Sequence, residues 1–222
     1  MVWSETPRQA TTSASTVDVF FKLKARLLPA EHRLSLFDAL SAHLPWLAEA
    51  GAGVAPIQDR SSGNGWQRGN EDSTALVPIS RRARLHLRVP RARAEDAATT
   101  LDGKTLDIDG HAVVLGTANV RELVPEPTLY ARGIIAPEDD EPAFQARVVS
   151  AIEAHDIVVN RVLCGLCLST PTSVGPLTTR AFLIADLTPA ESLRLQSVGV
   201  GDYRHLGCGL FVPHKSVAAV AE

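Results

Sequence analysis

Histidine is the side chain best suited to moving protons near neutral pH, because its ordinary pKa lies close to that range. The chain has seven. Two of them, His32 and His43, sit near the ends of one apolar-periodic stretch, and two more, His205 and His214, fall in the glycine-studded segment Gly199-Val-Gly-Asp-Tyr-Arg-His-Leu-Gly-Cys-Gly-Leu-Phe-Val-Pro-His-Lys215. Glycines at 199, 201, 207 and 209 permit tight turns and close backbone approach, and amides left exposed by such turns can face phosphates. Arg204, His205, His214 and Lys215 add charge and hydrogen-bond donors, and Tyr203 offers a ring on which a base can stack. Glycine spacing alone describes an ordinary helix-to-strand loop equally well.

A second concentration of chemistry is cationic. Arginines stand at 81, 82, 84, 88, 91 and 93 with His86 among them and no acid between 81 and 93. The formal net charge of −3 speaks against a nucleic-acid partner, whose phosphates call for a basic footprint. Distribution outweighs the total here, because acids gather elsewhere, as in Glu138-Asp139-Asp140-Glu141, leaving room for one positive face. The strict alternation of Arg84-Leu-His-Leu-Arg-Val places Arg84, His86 and Arg88 on one sheet face and Leu85, Leu87 and Val89 in the core. Arg81, Arg82, Arg84 and Arg88 are therefore expected to position phosphates, although edge strands also carry charge merely to stay soluble.

Cys164, Cys167 and Cys208 are an odd, sparse set and are expected to be structural thiols. Cys164 and Cys167 lie three apart in a strand, and no second Cys/His pair has metal-ligand spacing. No metal or cofactor is expected. The start of the chain is polar and lacks an apolar signal core, and no stretch is long and apolar enough to span a bilayer, so no membrane partner and a cytoplasmic location are expected.

The elements that must hold these residues are legible from periodicity. Residues 1–15 are Ser/Thr-rich and read as a disordered tail. From Val17 the chain alternates as a strand with Phe21, Leu23 and Ala25 opposite Lys22, Lys24 and Arg26, ended by Pro29. His32 to Leu47 follows as a first helix, Gly51 to Ile57 is a short apolar run, and Gln58 to Asp72 is a polar loop. Arg84 to Val89 is a strand, Arg93 to Leu101 a helix, and Thr105 to Leu123 one long or two short strands turning at Asp109-Gly110. The order then repeats with strands at 128–135, 158–168, 179–187 and 209–213 and helices at 141–155 and 189–197, the last opened by a Thr188 cap and Pro189. Two copies of strand-helix-strand-strand-helix-strand predict an α+β chain of two tandem ferredoxin-like (RRM-like) βαββαβ domains, 16–124 and 128–222, joined by Val124-Pro-Glu-Pro-Thr128.

The string from Gly199 to Lys215, and above all Gly-Cys-Gly-Leu-Phe-Val-Pro-His-Lys, resembles the C-terminal glycine-rich loop of the Cas six family of CRISPR repeat-processing endoribonucleases, in particular its myxan-like subtype. Pro29-Ala-Glu-His-Arg-Leu-Ser-Leu-Phe-Asp-Ala-Leu-Ser-Ala-His-Leu-Pro-Trp-Leu47 is similar to the opening of that family's first helix. The resemblance implies two ferredoxin-like domains and a metal-independent cut of CRISPR pre-crRNA, leaving 2′,3′-cyclic phosphate and 5′-hydroxyl ends. The product can stay bound as crRNA beside other Cas proteins of an effector complex. A non-cleaving crRNA-binding subunit of the same fold is the alternative. The family's general base lies on or just after the first helix, which points to His32 or His43. Many relatives carry a histidine after the Pro-Trp-Leu step, whereas this chain has Ala48.

Overall fold

The computed structural model describes residues 15–48, 51–57, 75–138, 140–170, 172–173 and 175–214. The tail expected at 1–15 (but for residue 15), the loop expected at 58–72, and Lys215 lie outside these described residues. Eleven strands and four α-helices are described: β1 Thr16–Lys24, β2 Leu27–Pro29, α1 Arg33–Ser41, β3 Gly53–Ala55, β4 Leu76–Pro78, β5 Arg84–Pro90, α2 Ala94–Leu101, β6 Thr105–Ile108, β7 His111–Glu122, β8 Leu129–Ile135, α3 Glu141–Glu153, β9 Arg161–Thr170, β10 Leu177–Ala185, α4 Pro189–Val198 and β11 Phe211–Pro213.

The first sheet runs β3-β5-β1-β7-β6 and the second β11-β8-β10-β9, with neighbouring strands antiparallel throughout. With β6 set aside as the outer arm of a hairpin, both sheets have the same interleaved order, in which the first and third strands of each module lie side by side at the centre. That order, with two crossing helices per sheet, is the duplicated ferredoxin-like fold expected from the sequence. The hairpin between β6 and β7 turns through Asp109 and Gly110, both at positive φ (51° and 80°), as a two-residue primed turn requires.

Alternation sets what each sheet buries. Val17, Val19, Phe21 and Leu23 of β1 and Leu85, Leu87 and Val89 of β5 point into a core closed by Leu36 and Leu40 of α1 and Ala97 and Leu101 of α2. In the second module Phe144, Val148 and Ile152, spaced by four on α3, meet Phe182, Ile184 and Phe211; Phe182 makes edge-on contacts with Phe144 at 6.1 Å and Phe211 at 6.4 Å. The Thr188–Glu191 pair forms a reciprocal capping box at the start of α4, satisfying amides that the first turn leaves open.

Three expectations are corrected. The first helix is shorter than 32–47: α1 ends at Ser41, and Pro45–Ala48 is a separate 3-10 turn, because Pro45 has no N–H to continue the ladder. Pro29 does not end the first strand; β1 stops at Lys24, and Leu27–Pro29 pairs with β4 in a small second ribbon.

The third correction concerns Arg88. It shares the open face of β5 with Arg84 and His86, but it is fully buried. Its guanidinium grips Asp18 on β1 by two bonds, Nε to Oδ1 at 2.7 Å and Nη2 to Oδ2 at 3.0 Å. Nη1 then donates across to the second module, to the Gln196 carbonyl at 3.0 Å and to the Phe211 carbonyl. Arg88 is thus spent on joining the modules and, fully buried, is out of reach of a phosphate. Burial alone would raise the Asp18 pKa, but the hydrogen bonds from His86 and Arg88 prevail and bring it down to about 2.

Because removing one partner leaves a buried charge uncompensated, Arg88→Met should destabilise the protein by about 3–5 kcal/mol, read as a large drop in the urea midpoint. The Asp18 contribution is fully present above its ordinary pKa of 3.8 and is lost as pH falls toward 2; it is on the order of 2 kcal/mol. Asp18→Asn should therefore flatten the stability–pH curve between those values, and an unchanged slope would refute the assignment.

Candidate nucleic-acid interface

The glycine segment leaves α4, crosses between the modules and returns as β11. It is a folded clasp. The Val200 amide donates to the Gly209 carbonyl at 3.1 Å, the Gly209 amide to Gly133 O on β8 at 2.7 Å, and the amides of residues 206, 207 and 208 close a 3-10 turn onto Tyr203 and Arg204. Gly199 N bonds Leu195 O, and His214 N bonds Thr128 O. Amides expected to face phosphates are thus consumed inside the protein at 199, 207, 209 and 214. The glycines serve the clasp's own packing. A Cβ on Gly209 (φ 61°) would lie 1.8 Å from Val200 O, and one on Gly207 (φ 79°) would meet Pro56 and Val54 O at 2.9 Å.

What the clasp presents outward is the short stretch Gly201 to His205. Gly201 and Asp202 are exposed, and Tyr203, itself at positive φ (59°), is half-buried. The His205 ring lies 4.5 Å from Phe37 of α1 and 5.8 Å from Tyr203, and burial lowers its pKa below 6.5. Arg204 points inward: its Nη1 caps the end of α4 on Ser197 O at 2.9 Å and Val198 O at 2.7 Å. Burial first, and then the nearby positive charge of Arg88, bring its pKa down to about 10. His214 packs its ring against Tyr130 at 5.7 Å.

The two histidines of the first helix part company. His32 is 4% exposed and both ring nitrogens are engaged: Nδ1 lies 2.9 Å from Pro29 O, and Nε2 accepts the Ile57 amide at 3.0 Å. Accepting an amide requires a bare Nε2, so Nδ1 carries the proton and the ring is neutral; burial lowers its pKa. With its only basic nitrogen occupied, His32 ties α1 to the strand before it and the segment after β3, and in this geometry it accepts no substrate proton. These bonds give His32 a structural task in this geometry. His43 lies two residues beyond α1, half-buried, and its imidazole has no hydrogen-bond partner among the described residues.

The strand face that buries Arg88 opens to solvent one and two rows away. There a trough of about 660 Å³ is lined by Phe20, Lys22, Arg82, Arg84, His86 and Arg121 among others, with no carboxylate in its wall among the described residues. Arg81, Arg82 and Arg84 are exposed as the arginine-strand reading expected, and they stand at or beside its rim. Phe20, Lys22 and Arg121 were missed. The signal for them was present in β1, where Phe20 falls in the phase of Lys22 and Lys24 rather than of the core. The trough and the clasp adjoin: Ala55 and Pro56 line the one, and Pro56 packs on Gly207 of the other.

A family model described as Cas6 Crispr matches residues 17–216. The CRISPR-associated endonuclease Cas6 of Myxococcus xanthus (strain DK1622) is 32% identical over 208 residues, spanning 92% of this chain and 84% of that protein. Among solved structures, one described as CRISPR associated protein Cas6 has a TM-score of 0.61 at 10% identity, covering 90% of this chain and 100% of that one. The product of a Cas6-related gene from Pyrococcus furiosus has a TM-score of 0.60 at 11% identity, with 88% and 97% covered. At such identities the two structures speak for the fold alone. The family model, by contrast, runs from β1 through the clasp, and with the relative from Myxococcus xanthus it places this chain in the Cas6 family.

Proposed function

We propose that this protein binds CRISPR repeat RNA and cuts it without a metal ion, by attack of a ribose 2′-hydroxyl on the adjacent phosphate. The products carry a 2′,3′-cyclic phosphate and a 5′-hydroxyl. The reading is supported by the 32% identical relative, named a CRISPR-associated endonuclease. The observation in the structure that carries it is the seating of His205 on Phe37, which brings the family's glycine loop onto the helix that ends next to His43.

The reaction needs a base at the hydroxyl, a proton for the leaving oxygen, and positive charge around the transition-state phosphate. His43 is the base in this reading, because its imidazole is accessible and uncommitted whereas that of His32 is sealed. His205, with Tyr203, lines the substrate's path on the other side of Phe37. Arg81, Arg82 and Arg84 hold flanking phosphates. Cytoplasmic residence and assembly with other Cas proteins go with this role; among the described residues no helix is long and apolar enough to cross a membrane. A second reading, a non-cleaving crRNA-binding subunit of the same fold, is favoured by two features: Ala48 after Pro45-Trp-Leu, and the sealed His32.

Incubating the purified protein with repeat RNA in EDTA separates the two readings. Appearance of a cyclic-phosphate end supports cleavage, and tight binding with intact RNA supports the subunit. His43→Ala should slow cleavage roughly 100- to 10,000-fold and change repeat affinity by no more than a few fold; undiminished cutting would remove His43 from the mechanism. His32→Ala should behave differently. It leaves the Pro29 carbonyl and the Ile57 amide unpaired in the interior, costing on the order of 2–4 kcal/mol. The expected result is a lower melting temperature with single-turnover cleavage, measured well below that temperature, close to wild type.

A further inference from the structure

The trough on the first sheet contains an arrangement that phosphate binding alone does not call for. Phe20 stands on the charged face of β1, one row from Asp18 and one from Lys22, where burial of the core asks for no aromatic ring. Across the strands its register partners are His86 on β5 and Asn119 on β7. The His86 imidazole stacks on it with centroids 4.4 Å apart and planes 18° from parallel, and the Arg121 guanidinium lies over the ring at 5.4 Å. Three flat groups from three adjacent strands are therefore gathered here, His86 and Phe20 in one row and the Arg121 guanidinium reaching over from the next. Arg121 is exposed and its guanidinium enters no ion pair among the described residues, so this side of the Phe20 ring can exchange one planar group for another.

We infer that an unpaired nucleobase of the bound RNA stacks on Phe20 in this trough, in the place the Arg121 guanidinium occupies, while Lys22, Arg82 and Arg84 hold the phosphates on either side of it. This rests on the RNA-processing role proposed above and names the form of RNA the site takes. Stacking on a sheet-borne aromatic is tolerant of base identity because every base has a π-face. It also excludes duplex RNA, whose bases are already stacked on one another and whose edges alone are accessible. The volume of about 660 Å³ lies within the roughly 300–1,000 Å³ typical of sites that enclose a small organic group. Charge agrees with the assignment: the one carboxylate in the neighbouring row, Asp18, is neutralised by Arg88 beneath it. On this inference the first sheet grips a single-stranded flank of the repeat, next to the clasp and α1 that act on the cut site.

The test uses the full chain and a fluorescein-labelled, unstructured oligoribonucleotide of about eight nucleotides, with a blunt duplex of equal length as the comparison and one adenine replaced by 2-aminopurine as a stacking reporter. Phe20→Leu preserves apolar bulk without a π-face. It should weaken single-strand binding roughly 5- to 100-fold, abolish quenching of the 2-aminopurine, and leave duplex binding and the melting temperature near wild type; Phe20→Tyr should restore both signals. Single-strand affinity and quenching unchanged in Phe20→Leu would overturn the inference, as would an equal loss for the duplex. The EDTA cleavage assay keeps the two readings apart. If wild type cuts the repeat and Phe20→Leu holds the short strand as tightly as wild type, stacking fails alone. If wild type cuts nothing while the short strand still depends on Phe20, cleavage fails alone.

Discussion

The buried guanidinium of Arg88 is the constraint on which the arrangement of this molecule depends. A charge with no exposed surface is tolerable only when every side of it is paired, and the partners come from three places: a carboxylate on the central strand of its own sheet, the end of α4, and the last strand of the second module. Those carbonyls are available only where α4 and β11 both meet the open face of the first sheet. Pairing Arg88 therefore fixes the docking of one module on the other as well as contributing to its strength. A hydrophobic contact of the same area would tolerate sliding, whereas a bidentate carboxylate bond plus two directed carbonyls does not.

Two functional consequences follow from that docking. It covers only one end of the first sheet's open face, so Arg84 stays exposed and the mostly covered His86 still borders the trough. It also brings the chain between α4 and β11 against β3 and α1. That chain must turn sharply in a narrow space, and the contacts of Gly207 with Pro56 and of Gly209 with Val200 explain why side chains are excluded there. The glycine loop that first suggested exposed amides for phosphates is thus better understood as the clasp that carries Tyr203 and His205 onto Phe37. Its conformational freedom is used to reach a packed state, and little of it remains for a ligand.

Most of the fold was legible in the sequence because the strands of the first module, β1 and β5 above all, keep to one period. Alternation in β1 and β5 named their core residues correctly, Asp109-Gly110 named the hairpin, and Thr188-Pro189 named the start of α4. Errors arose where the outcome was set by a distant partner. Alternation placed Arg88 on the right face but could not say that the second module covers that face; the burial of a cation depends on Gln196 and Phe211, more than a hundred residues away. His32 illustrates the same limit, since an imidazole that begins a helix looks the same in sequence whether it faces substrate or accepts the Ile57 amide. Phe20 was legible in principle. An aromatic ring in phase with lysines on a half-buried strand departs from the binary pattern, and such departures concentrate at functional sites.

Charge allocation explains how a chain of net charge −3 presents a cationic surface. In the second module four arginines have carboxylate partners: Arg147 with Glu138, Arg161 with Asp186, Arg180 with Glu141 and Arg194 with Asp156. These exposed or half-exposed pairs add little stability, but each cancels a positive charge locally. In the first module Asp18 is withdrawn into the Arg88 contact, and among the described residues no acid lies in the trough wall beside Lys22, Arg82, Arg84 and Arg121. At physiological ionic strength charges interact over roughly 8 Å, so a polyanion approaching this face meets these cations and not the distant acids that set the total. The sign that matters for binding is therefore decided by which arginines the fold leaves without a carboxylate, a property of the folded sheet that the net charge does not reveal.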